Sequence, residues 1–89
     1  MAARTMKPAA EVLARRMPGG AVLVHLGSNR IFELNETGAR VWELLNEGLD
    51  QEQVLQRIVE EFDVDPPRAG AELRDLLERL AQERLLSAE

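Results

Sequence analysis

Apolar positions change their period once along this 89-residue chain. Up to about residue 35 they fall in short runs separated by Gly, Pro, Ser and Asn. Beyond it they recur every three to four residues, the spacing of an amphipathic helix. The first half therefore predicts strands over Val12–Met17, Ala21–Leu26 and Arg30–Asn35. Pro18-Gly19-Gly20 and Gly27-Ser28-Asn29 supply the turns between them. Two such short connections predict an antiparallel meander with the second strand in the middle. On that strand Val22, Val24 and Leu26 are expected to face the core. The third strand is then a sheet edge, open unless something covers it.

The second half predicts three helices. Asn35 suits an N-cap because its side-chain oxygen can accept from an orphan amide of the first turn, and Glu36 follows at the positive end of the helix dipole. The first helix should run from Glu36 to Glu47 and stop at Gly48, with Val41, Trp42, Leu44 and Leu45 as its apolar stripe. Asp50 with Gln53 three residues later is a capping-box start for the second, which carries Val54, Leu55, Ile58, Val59 and Phe62. After a break over Asp63–Asp65, Asp65 caps the third, with Pro66 at the position where a missing amide costs nothing. That helix carries Leu73, Leu76, Leu77 and Leu80 and is expected to fray by Leu86. Strands followed by helices imply an α+β fold, a three-stranded antiparallel sheet followed by three helices in a winged helix-turn-helix-like arrangement. Residues 1–10, interrupted by Lys7-Pro8, read as a flexible arm, and 11–89 as one domain.

Composition narrows the chemistry. The chain has no cysteine and one histidine, His25. Disulfides, thiolate metal sites, cysteine catalysis and histidine-based triads are thereby excluded. No apolar run approaches the roughly 18 residues that span a bilayer, and Met1–Ala10 lacks the apolar middle of a signal peptide, so the reading is a cytoplasmic protein without membrane contact. The net charge is −5. It divides unevenly, +3 over residues 1–35 and −8 over the rest. The helical half is a poor match for a phosphate backbone, which argues against nucleic acid.

No catalytic constellation is visible. Glu60, Glu61, Asp63 and Asp65 form the densest carboxylate cluster, but without the spacing of a calcium loop they read as a solvated helix end. His25 reads as a half-buried surface residue and Trp42 as core. Arg15 and Arg16 point to opposite faces of a strand and make no patch. The third helix is more informative. Leu73, Leu76 and Leu80 define one face, expected to be core. Gly70, Arg74, Leu77 and Ala81 form a second stripe beside it. That stripe is either the margin of the core or the floor of a groove. If it lies next to the open third strand, an extended peptide could add as a fourth strand and drop alternate side chains into the groove.

Several of these residues resemble a known family. Phe32-Glu33-Leu34-Asn35-Glu36-Thr37-Gly38-Ala39, then Trp42-Glu43-Leu44-Leu45 and Glu47-Gly48, is similar to the PqqD-like family. So is the pattern Glu72-Leu73, Leu76-Leu77, Leu80, Leu85-Leu86. The resemblance spans Val12 to Leu86. The family comprises small leader-peptide recognition elements of ribosomally made, post-translationally modified peptides. It implies a three-stranded sheet with three helices, and a precursor leader bound as an added strand along the third strand against helix three. Carried over by position, it implicates Arg30, Ile31, Phe32, Glu33 and Leu34, with Leu73, Arg74, Leu77 and Ala81; Gly70 is added from the stripe alone. The family often has aspartate where this chain has Glu72. An isolated domain of this size with Trp42 looks most like the stand-alone B protein of lasso-peptide pathways, which delivers a precursor to a separate leader peptidase and, with it, to a cyclase. The rival is a pyrroloquinoline quinone-type chaperone serving a radical SAM enzyme. From a different class, the topology alone would also permit a winged-helix DNA-binding regulator. The expectation is a non-enzymatic, cofactor-free peptide-binding adaptor.

Overall fold

The computed structural model describes residues 6–88. The order is β1 (Met6–Pro8), β2 (Val12–Met17), β3 (Gly20–His25), β4 (Arg30–Asn35), α1 (Glu36–Asn46), α2 (Gln51–Phe62), α3 (Pro66–Gln82) and β5 (Leu86–Ala88). Strands β2, β3 and β4 form the expected antiparallel meander with β3 in the middle. The helices cover one face of it, so the α+β winged-helix reading holds.

The facing of β3 is opposite to the expectation. Ala21 and Leu23 are buried, Leu23 with no exposure, whereas Leu26 is 52 % exposed and Val22 and Val24 are half-buried. In register, Arg16, Ala21 and Leu34 form one row and Ala14, Leu23 and Phe32 the next, all on the helix side. Both faces of this strand are apolar, so alternation carries no polar phase to read. The deciding feature is close packing: the helices sit over the small Ala21 and the fully covered Leu23.

Each helix terminus follows from local chemistry. The Asn35 side chain accepts from the Gly38 amide at 2.8 Å. A Cβ on Gly38 would lie 3.2 Å from that Asn35 oxygen and 3.3 Å from Leu34 Cδ2. At the strand-to-helix junction Leu34-Asn35-Glu36-Thr37-Gly38, a side chain at Gly38 would therefore make the Asn35 cap or the Leu34 side chain give by a few tenths of an ångström. Asp50 and Gln53 complete a reciprocal capping box, with bonds of 2.8 and 2.9 Å. Asp65 caps α3 through the Arg68 amide. Gly48, at φ 93°, ends α1.

The apolar stripes converge on one core that includes Leu23, Leu34, Trp42, Leu44, Leu45, Val54, Ile58, Leu73, Leu77 and Leu80. Trp42 is core, as read. Between α1 and α2, Arg40 holds Glu61 bidentately at 2.8 and 3.0 Å. This contact pulls the Glu61 carboxyl below its usual range and raises the guanidinium further. Glu61 is therefore a structural partner, and no group of three or more metal-ligating side chains occurs among the described residues.

The two ends differ from expectation. The chain does not fray by Leu86. Arg84 takes a left-handed φ of 60°, and the Leu85 and Arg84 amides close back on the Leu80 and Ala81 carbonyls at 2.8 and 3.0 Å. This is a Schellman end made without glycine. It turns Leu85 and Leu86 into the core and starts β5, which pairs with β1 through Met6 to Ala88, Lys7 to Ser87 and Pro8 to Leu86. The arm expected over residues 1–10 is thus strand over Met6–Pro8; residues 1–5 lie outside the described part. Burial of two consecutive leucines is what draws this ribbon in, a contact between chain ends that local pattern does not reveal.

Candidate functional site: an open strand edge above a groove

β4 pairs with β3 on one side and, among the described residues, with no strand on the other. Its two rows of backbone groups can be assigned. The Leu26 amide donates to the Glu11 carbonyl of the segment leading into β2, and the Asn29 amide closes on the His25 carbonyl. Alternation along β3 then aims His25, Leu23 and Ala21 at β4, opposite Arg30, Phe32 and Leu34. The Leu34 carbonyl indeed lies beside Gly20. The amides and carbonyls left pointing outward are those of Ile31 and Glu33. Their side chains lie on the sheet face away from the helices, Ile31 being 67 % exposed. Phe32 and Leu34 point the other way, toward α3.

Below this edge runs a groove of about 340 Å³ between β4, the start of α1, the middle of α2 and one flank of α3. Phe32, Leu34, Val41, Leu55, Leu73 and Leu76 give it an apolar lining, and Glu72, Asp75 and Arg79 stand on its α3 wall. Arg79 sits over the Phe32 ring, 5.3 Å from its centroid. At one end Arg30 pairs with Glu83 at 3.3 Å, tying the start of β4 to the end of α3.

The structure brings together Phe32, Glu33, Leu34 and Leu73 of the expected residues, with Arg30 and Ile31 on the same strand. Gly70, Arg74, Leu77 and Ala81 do not line the groove. Leu77 is 5 % exposed and belongs to the core. Arg74 and Ala81 are exposed, and Gly70 faces Leu55 of α2. The roles expected for Leu76 and Leu77 are thus exchanged: Leu76 is half-buried in the groove wall. The physical reason is rotational. Leu76 and Leu77 lie about 100° apart and flank the Leu73–Leu80 line on opposite sides. Periodicity gives that line but not the side on which β4 runs. Glu72, Asp75, Leu76 and Arg79 share the β4 side, the other flank of the same helix, and no local signal in the sequence selects that flank over its opposite.

Comparison with known proteins bears on this arrangement. The family model described as coenzyme PQQ synthesis protein D (PqqD) matches residues 20–86. The chain belongs to the PqqD family. A search of curated proteins finds no match. Among solved structures the chain is similar to TbiB1 in complex with the TbiA(β) leader peptide, at 36 % identity and a TM-score of 0.84, covering 91 % of this chain and 94 % of that one. It is also similar in fold to a lasso peptide synthetase B1 complexed with the leader peptide, at 22 % identity and a TM-score of 0.82, covering 93 % and 98 %. The PqqD-like resemblance read over Val12 to Leu86 is therefore confirmed, the family model covering residues 20–86 of it. No helix among the described residues is long and apolar enough to cross a membrane.

Proposed function

We propose that this PqqD-family domain is a non-enzymatic adaptor of lasso-peptide biosynthesis, which binds the leader of a precursor peptide as an additional strand along β4. The observation that carries this reading is the open edge of Ile31 and Glu33 standing above an apolar groove. In TbiB1, a relative matched over nearly its whole length, a leader peptide is the bound partner. An extended leader would bond through its backbone to the outward groups of Ile31 and Glu33. Alternate side chains would enter the groove against Leu73 and Leu76.

The bound leader then leaves the core peptide for a separate leader peptidase and, with it, a cyclase, in the cytoplasm. The name of the matched family favours a second reading, a precursor chaperone in pyrroloquinoline quinone synthesis. The 36 % identity to TbiB1 favours the first.

The test is a titration of the purified protein with the leader of the precursor encoded beside its gene. Ordering a flexible peptide opposes binding, so affinity of about −8 to −10 kcal/mol is expected, micromolar to tens of nanomolar. The pure protein should leave the precursor intact. Turnover by the protein alone, or no binding at tens of micromolar, contradicts the adaptor reading.

A further inference from the structure

We propose that Arg79 is the specificity-determining residue of the groove and receives an acidic side chain of the bound leader. This rests on the leader-binding reading above. Arg79 lies on the flank of α3 that faces β4, over Phe32. Phe32 is the inward-facing residue between the two outward-bonding positions, so a leader side chain placed opposite it arrives at the guanidinium.

Its place sets that guanidinium apart: of the described arginines without an ion pair, Arg15, Arg57, Arg74, Arg79 and Arg84, Arg79 alone lines the groove. Arg16, Arg30, Arg40 and Arg68 each hold a carboxylate, on Glu43, Glu83, Glu61 and Glu72 respectively. The Arg79 side chain has no ion pair or hydrogen bond among the described residues; its contact is the Phe32 ring. Asp75 lines the same groove one turn earlier, and no ion pair joins the two. In the free protein Arg79 is exposed, so its donors are open to water. A strand laid along β4 removes part of that water, and a guanidinium left without acceptors in an apolar groove is costly. A carboxylate matches its planar fork through two parallel bonds, while the aromatic ring supports the other side of the plane.

Long-range attraction does not favour an acidic peptide, since the chain carries −5. Selection of an acid has to come from a local contact, and Arg79 is placed to make it. A lysine at the same leader position would meet like charge and be rejected.

The experiment uses the intact protein and the fluorescein-labelled leader of the precursor encoded beside its gene, followed by anisotropy at low and high salt. Thermal melts of each variant establish that it is folded, as expected for an exposed side chain. Arg79→Glu should weaken binding about tenfold or more at low salt, and less at high salt, where screening is stronger. Each leader Asp or Glu is then changed singly to Asn or Gln. One position should lose about tenfold against the native protein and nothing against Arg79→Gln. Lysine at that position should restore binding to Arg79→Glu. The proposal is overturned if Arg79→Glu binds within twofold of the native protein, or if no leader acid is coupled to Arg79. If the native protein binds no leader at all, the leader-binding reading itself fails, a result distinct from binding that ignores charge.

Discussion

Leu80→Asp should leave no folded domain at 25 °C, and Leu77→Asp should do the same, whereas Leu76→Asp should fold and lose the leader. Leu80 is fully buried and Leu77 is 5 % exposed, both within the single core. A carboxylate at either place has no cation within that core. Leaving it charged, or protonating it and leaving a cavity, costs several kcal/mol. A domain of this size has roughly 4–13 kcal/mol of stability in total, and usually sits in the lower part of that range. Leu76 differs because its side chain forms the wall of an open groove and water reaches it. Aspartate there keeps its hydration in the free protein. On binding it would face an apolar leader side chain and the neighbouring Asp75 and Glu72, so affinity should fall by a hundredfold or more. Circular dichroism melts and leader titrations of the three variants separate the cases. A folded Leu77→Asp that loses the leader would return Leu77 to the groove, and a Leu76→Asp that binds normally would move the site off this flank.

Gly20→Ala should destabilise the domain without unfolding it, by a different mechanism. Gly20 opens β3 directly opposite Asn35, the last residue of β4 and the cap of α1. A Cβ at Gly20 would collide with the Leu34 carbonyl oxygen, a backbone atom that cannot rotate aside. Relief requires the end of β4 to move away from β3, which drags the Asn35 cap and the first turn of α1 with it. Overpacking of this kind costs about 1–3 kcal/mol and occasionally more. Here the displacement also falls on Leu34, one wall of the groove. A drop of about 5–15 °C in melting temperature is expected, accompanied by weaker leader binding. A variant that melts with the native protein would show that the strand ends have slack that the close approach denies.

How much of this was legible in the sequence depends on whether the information was local. The caps at Asn35, Asp50 and Asp65, and the stop at Gly48, are contacts within one turn, and each stood where its residue type predicted. The open third strand followed from two short connections. Orientation was less accessible. On β3 both faces are apolar, so the phase that buries Ala21 and Leu23 was set by the overlying helices. On α3 two leucines flank the core line symmetrically, so Leu76 and Leu77 could be told apart only once β4 was placed. The β1–β5 ribbon joins residues about 80 apart and depends on Arg84 adopting a conformation usually given to glycine. Of the candidate site, the strand and Leu73 were readable; the helix flank, and with it Leu76 and Arg79, was not.

The central claim is that a leader pairs with the backbone of β4, and proline substitution tests it most directly. Proline removes the amide without adding a charge. At Ile31 and Glu33 the amide points outward, so the β3 ladder is untouched; these variants should fold with modest loss of stability and bind leader at least tenfold more weakly. Ile31→Ala, which keeps the amide and shortens only an outward side chain, should bind within about threefold of the native protein. At Phe32 and Leu34 the amide faces β3, and proline there should unfold the sheet instead. The expected result is this alternation, folded but weakly binding at Ile31 and Glu33, unfolded at Phe32 and Leu34. Folded Ile31→Pro and Glu33→Pro proteins that bind leader as tightly as the native one would contradict it.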